Sequence, residues 1–101
     1  MSYIKSVNLK LETAIIQHVV ISENAEVLDA TIDKNGINIW YVHDNRKKPI
    51  DVFLVLYRAE QKTYEMEQLI FLKSFQLKAN EKPFFLFQCK DALANLPFPG
   101  E

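Results

Sequence analysis

An all-β fold is what this sequence predicts: about seven antiparallel strands joined by short connections, as a sandwich or a partly open barrel, with at most one short helix. Two alternating runs meet at Asn35-Gly36, the strongest short-range signal for a β-hairpin. Other apolar residues fall in runs such as VFLVLY and FFLFQC, rich in β-branched and aromatic residues and shorter than a helix needs. Within the body of the chain residues 58–67 are the one stretch where a helix is plausible, and there a turn or two of helix and an exposed loop fit nearly equally well.

Composition sets the outer bounds. The chain has 101 residues, 49% hydrophobic and 25% charged, the make-up of a single globular domain over residues 1–101. A net charge of −1 and a pI near 6.1 give no overall pull toward nucleic acid or acidic membranes. No run approaches the roughly 18 apolar residues of a membrane helix, and the start, MSYIKSVNLK, lacks the apolar centre of a signal peptide. Cys89 is the one cysteine and has no partner for an internal disulfide, so the expected location is the reducing cytoplasm. Two glycines are too few for a glycine-rich phosphate loop, and no cofactor is expected.

Residues 6–12 alternate, with Val7, Leu9 and Leu11 on one side, and read as a half-buried strand. After a break at Thr13-Ala14, residues 15–21 form a second strand with Gln17, Val19 and Ile21 on one face and Ile16, His18 and Val20 on the other. Polar residues 22–26 lead into the hairpin, residues 27–44. A type I′ turn needs positive φ at both central residues, which Asn35 and Gly36 tolerate best. The register then sets Lys34 opposite Ile37, Ile32 opposite Ile39, Ala30 opposite Tyr41 and Leu28 opposite His43, on an apolar face directed at the core. Asp33, Thr31, Asp29 and Val27 share the other, mostly polar face with Asn38, Trp40, Val42 and Asp44. On that face Trp40 needs explaining. It either packs flat on Thr31 or beneath a loop, since tryptophan is rarely fully exposed, or it anchors an interface, where tryptophan is over-represented.

Residues 45–49 read as a solvated basic loop whose Pro49 marks an edge or a strand start. Residues 52–57 are apolar at every position, as in a central strand covered on both faces. The next strand, residues 69–77, has Phe71, Lys73, Phe75 and Leu77 on one side and Leu72, Ser74 and Gln76 on the other. A turn at 78–83 precedes the last strand, residues 84–89, whose phenylalanines are assigned to the core. Residues 91–96 read as a helical turn capped by Asp91; Pro97-Phe98-Pro99 then favours an extended tail, so residues 91–101 are expected to fray.

Ala25-Glu26-Val27-Leu28, a glycine-marked turn and Ile39-Trp40-Tyr41-Val42-His43-Asp44, followed by a strand and a final aromatic strand, resemble a small family of uncharacterised domains encoded by bacteriophages and bacteria. That family carries Ala-x-Ile-Leu followed by Leu-Trp-x-x-x-Asp. It closes its next strand with a Gly-Thr-Gly-like turn, where this chain has Tyr57-Arg58-Ala59. The resemblance implies a small β domain of phage or prophage origin and brings no catalytic residues.

The residues themselves offer little chemistry. His18 and His43 lack metal-ligand spacing, and the hairpin register points His43 away from Asp29 and Asp44. Cys89 on an aromatic strand reads as an inert packed residue rather than a nucleophile. Asp29 and Asp33 share a face but have no pocket to raise a carboxyl pKa. Lys10, Arg46, Lys47 and Lys48 with Trp40 fit single-strand binding, against which Asp29, Asp33 and Asp44 on the tryptophan's face would repel phosphate. The leading expectation is a non-enzymatic, phage-type accessory protein. It would bind a protein partner through a sheet face or edge, with Trp40, Thr31, Val42 and Asp29 at the contact and a homodimer formed by edge pairing or the Trp40 patch. The alternatives are a small-molecule-binding or catalytic β-barrel using His43 or Cys89, and single-stranded nucleic-acid binding.

Overall fold

The computed structural model describes residues 1–63 and 65–90. Its strands are β1 (Ser2–Leu9), β2 (Ile16–Ser22), β3 (Val27–Asp33), β4 (Gly36–Asp44), β5 (Pro49–Arg58), β6 (Leu69–Phe75) and β7 (Phe84–Cys89). They form two antiparallel sheets, one of three strands in the order β1-β4-β3 and one of four in the order β2-β5-β7-β6. Among the described residues each sheet ends in two unpaired edge strands, so the fold is a sandwich and not a closed barrel. The expected helix reduces to a single 3-10 turn, Met66–Gln68. No helix among the described residues is long and apolar enough to cross a membrane. The expected helical turn and tail after residue 90 lie outside the described residues.

Alternation along the strands builds the layer between the sheets. Leu9 from β1, Ile37 and Ile39 from β4, and Ala30 from β3 meet Val19 from β2, Val52, Leu54 and Leu56 from β5, Phe75 from β6 and Leu86 from β7, all buried. Each large side chain in that layer contributes about 1.5–3 kcal/mol by leaving water.

The four-stranded sheet carries a second apolar layer on its outer face. Val55 and Tyr57 of β5 are 0% and 1% exposed there, beside Leu69, Phe87 and Cys89. β5 therefore is covered on both sides, as its unbroken apolar run requires. β5 and β6 both run antiparallel to β7 and hence parallel to one another, so the chain has to return the length of the sheet between them. Ala14, Ile16, Phe53 and Phe85 pack against the outer cluster.

Three expectations are corrected. First, β1 begins at Ser2 and stops at Leu9, whereas the alternation suggested 6–12. Leu11 is exposed because the chain leaves for the second sheet: the Gln17 side-chain amide closes on the Lys10 backbone (Oε1 from N–H, 2.8 Å; Nε2 to C=O, 3.0 Å), and Ala14 takes a left-handed φ of 60°.

Second, the hairpin turns one residue early. Ile32 faces Ile37, Ala30 faces Ile39 and Asp29 faces Trp40. The Asp33 carboxylate accepts the Asn35 backbone N–H at 2.7 Å, an Asx-type turn; neither turn residue, Lys34 or Asn35, has a positive φ, which falls instead to Gly36 at the start of β4, at 128°. The cross-strand partners thus move by two positions, which leaves every side chain from Thr31 to Trp40 on its expected face. Beyond that a bulge between Val27 and Asp29 turns Val27 inward opposite Tyr41, and His43 faces Tyr3 of β1 instead of Leu28.

Third, a bulge between Phe71 and Lys73 separates two phenylalanines expected on one side. Phe75 is buried between the sheets, whereas Phe71 lies on the outer face, 54% exposed, edge-on to Phe87 with centroids 5.5 Å apart.

At Gly36 a Cβ would run into the backbone carbonyl oxygen of Leu9 on β1. Gly36→Ala is therefore expected to cost about 2 kcal/mol or more and to lower the thermal midpoint by roughly 10 °C. Asn35→Ala should change stability by less than about 0.5 kcal/mol, since the bond Asn35 makes to Asp33 is through its backbone. Equal losses in thermal unfolding followed by circular dichroism would restore the type I′ turn.

Candidate functional site: the outer face of the three-stranded sheet

β4 lies between β1 and β3, and its even-numbered residues Asn38, Trp40 and Val42 point away from the core. Across from them β1 supplies Asn8 to Asn38, Ser6 to Trp40 and Ile4 to Val42. On the other side Thr31 faces Asn38 and Asp29 faces Trp40. All four residues expected at a contact, Trp40, Thr31, Val42 and Asp29, therefore share one face. Ile4, which the sequence reading left out of the strand altogether, joins them and is 68% exposed. The signal for it was present in the β-forming dipeptide Tyr3-Ile4, just upstream of the alternation.

The indole of Trp40 is half-buried, lying along its own sheet with Nε1 donating to Thr31 Oγ1 at 2.9 Å. This is the diagonal neighbour. A net gain of about 1 kcal/mol is usual for such a bond, enough to hold the ring in one orientation. Its neighbours are fixed too. Asp33 Oδ2 accepts the Asn38 side-chain amide at 2.7 Å, and the Asn8 amide donates to Asn38 Oδ1 at 3.2 Å, so a polar chain crosses all three strands. Asp29 Oδ1 accepts the backbone N–H of Ala30 at 2.8 Å.

Charge on this face is acidic. The Asn38 amide, followed by the Asn35 N–H, holds the Asp33 carboxyl below its usual range. Asp44 is pulled further down by Arg46, whose guanidinium donates to both carboxylate oxygens at 3.1 and 3.0 Å and whose backbone N–H donates to Oδ1 at 3.0 Å. The basic loop is thus partly spent inside the chain: of its three cations, Arg46 is taken by Asp44.

The residues weighed for catalysis do not converge. His43 lies on the inward side of β4, with ring contacts to Tyr3 and Tyr41 at 6.4 and 6.3 Å, and its buried Nδ1 has no hydrogen-bond partner. Cys89 is on the outward face of the other sheet, 4% exposed, and burial pushes its thiol pKa up. His18 pairs with Asp51 at 2.7 Å on that same outward face, beside Phe53. Among the described residues no three His, Cys, Asp or Glu side chains gather closely enough to hold a metal ion.

Two of the hollows bear on ligand binding. A cavity of about 80 Å³ between the sheets is lined by Val7, Ile21, Ile39, Tyr41 and their neighbours, and neither His43 nor Cys89 borders it. Ligand pockets usually measure about 300–1,000 Å³. An open groove of about 570 Å³ runs past Arg58, Glu60, Lys82 and Phe84, where Lys82 pairs with Glu60 at 3.1 Å.

Two measurements check this geometry. Asp33 has a lowered folded-state pKa, so its contribution is complete above the unfolded value near pH 3.9 and is lost as pH falls below it toward the folded value. Asp33→Asn should therefore flatten the fall of the thermal midpoint below about pH 4; an unchanged slope would remove Asp33 from the turn. The Cys89 thiol should be alkylated at least about 100-fold more slowly in the native than in the denatured chain, whereas comparable rates would place it at the surface. No protein-family model, curated protein or solved structure matches this chain, so what the site does is read from its geometry.

Proposed function

We propose that this chain is a non-enzymatic, phage-type accessory protein that works in the cytoplasm by binding another protein, through the outer face of the three-stranded sheet and the edge beside it. One observation carries the reading. Among the described residues nothing covers that face, and across it Trp40, Val42 and Ile4 form an apolar stripe bordered by the carboxylates of Asp29 and Asp33. The indole is held in place before any partner arrives, so little side-chain entropy is lost on contact, and a pre-ordered aromatic ring with a polar rim is the make-up of an interface hot spot.

The acidic rim adds a preference. Asp29 and Asp33 carry no cationic partner among the described residues, and they favour a protein surface bearing lysine or arginine while repelling phosphate. That weighs against single-stranded nucleic acid as the ligand. The separation of His43 from Cys89, on different sheets, supports the non-enzymatic reading over a catalytic one.

The test is Trp40→Ala on the purified full chain, used as bait beside the wild type. Proteins retained by the wild type should be lost, with an affinity drop of about 2 kcal/mol or roughly 30-fold for any one of them. The thermal midpoint should fall by only a few degrees, since one hydrogen bond of about 1 kcal/mol is removed. Retention equal to wild type would end the role of the indole.

A further inference from the structure

The four sheet edges are not alike. β3 is interrupted by the bulge at Val27 and Asp29, and the Asp29 carboxylate occupies the Ala30 N–H. β6 is interrupted by the bulge at Phe71 and Lys73. Both are standard ways of blunting an edge. β1 has neither device. It pairs with β4 in unbroken register over its full length, has no proline, and from Ser2 to Ser6 is exposed on both faces. β2 is also unbulged, but its outer row carries His18 tied to Asp51.

The backbone groups on the free side of β1 can be assigned. The Met1 carbonyl accepts the Asn45 N–H at 3.4 Å, and the Leu9 carbonyl lies against Gly36, so odd-numbered residues bond to β4. Even-numbered residues therefore present both N–H and C=O outward. At Lys10, the last of this even row, the chain satisfies both groups itself through the Gln17 amide. Among the described residues Ser2, Ile4, Ser6 and Asn8 have no such partner.

We propose that β1 is a two-fold interface: it pairs antiparallel with β1 of a second copy, Ile4 against Ile4, so that two three-stranded sheets become one continuous sheet. The register follows from charge and hydrogen-bond parity. A dyad must pass through a residue, because only then do outward groups meet outward groups. Through Lys5 it would oppose two ammonium groups, and through Ser6 it would set Ile4 against Asn8. Through Ile4 it sets Lys5 against the ring of Tyr3, a cation and an aromatic face, and joins the two Ile4 side chains to Val42 on either side as one apolar band. The outer face named above thereby doubles in width. This deepens the protein-binding reading, and rests on it, by naming one partner.

Sedimentation velocity of the full chain from micromolar to millimolar concentration should show a monomer–dimer equilibrium. Because Ile4 is 68% exposed, Ile4→Lys and Ile4→Glu should fold normally, and each should raise the dimer dissociation constant about tenfold or more by placing like charges at the dyad. Mixing the two variants should restore association. On the wild type, the amide protons of Ile4 and Ser6 should gain protection from exchange as concentration rises, while those of Tyr3 and Lys5 stay protected throughout. A monomeric wild type at millimolar concentration, variants that dimerise as before, a mixture that stays monomeric, or concentration-independent exchange at Ile4 and Ser6 would each overturn the proposal. Trp40→Ala separates it from the face reading. A dimer lost with charged Ile4 but bound partners untouched by Trp40→Ala keeps the edge and ends the face; a monomeric wild type whose bound partners are lost with Trp40→Ala does the reverse.

Discussion

Close approach of β1 to β4 at one glycine is the constraint on which the rest of the three-stranded sheet depends. Because Gly36 has no Cβ, the Leu9 carbonyl sits directly against the start of β4. That contact locks Leu9 opposite Ile37, and with it every later pair out to Ser2 and Asp44. It also fixes which way β4 faces. Ile37, Ile39 and Tyr41 go inward, and the residues between them, Trp40 among them, have nowhere to go but out. The candidate contact surface is thus a by-product of how the core is aligned.

The two sheets divide labour for a physical reason. The four-stranded sheet carries a buried apolar cluster on each face, one against its companion sheet and one around Val55, Tyr57 and Phe87 on its outer side. Little of it is left over except Phe71, Ile70 and Val20 near its margins. The three-stranded sheet has no crossover, since β3 and β4 are joined by a tight turn and β1 reaches β4 from the flank. Among the described residues nothing packs over one of its faces, and its polar side chains are satisfied laterally: Asp33 by Asn38, Asn38 by Asn8, Trp40 by Thr31.

Much of this was legible in the sequence, and the exceptions share a cause. The number of strands, the central place of β5 and the sidedness of Trp40 follow from composition and alternation. Period-two patterns are blind to slips of two, so the hairpin's faces were readable while its partners were not. The Asp33 carboxylate moved the turn, and an Asx interaction competes with the Asn-Gly signal without leaving a distinct mark in the sequence. Bulges are equally silent: Phe71 and Phe75 look equivalent until one extra residue falls between them. β1 was placed late because Ser2 to Ser6 is exposed on both sides and so has no hydrophobic alternation to read. For the site, the four face residues were readable as a set, but Ile4 belongs to it only through a pairing thirty-eight positions away, with Val42.

The position of β7 governs the order in which the chain can assemble. All three strands of the smaller sheet are synthesised by residue 44, and it is free to close early. The larger sheet is not, for β6 is made before the strand that must lie between it and β5. Until residue 89 has emerged, β6 has no neighbour on either side and the apolar run of β5 has one flank unpaired. A nascent chain halted anywhere from residue 58 to 83 therefore presents its most aggregation-prone segment unprotected, and completing the sandwich waits on long-range closure by the final described strand.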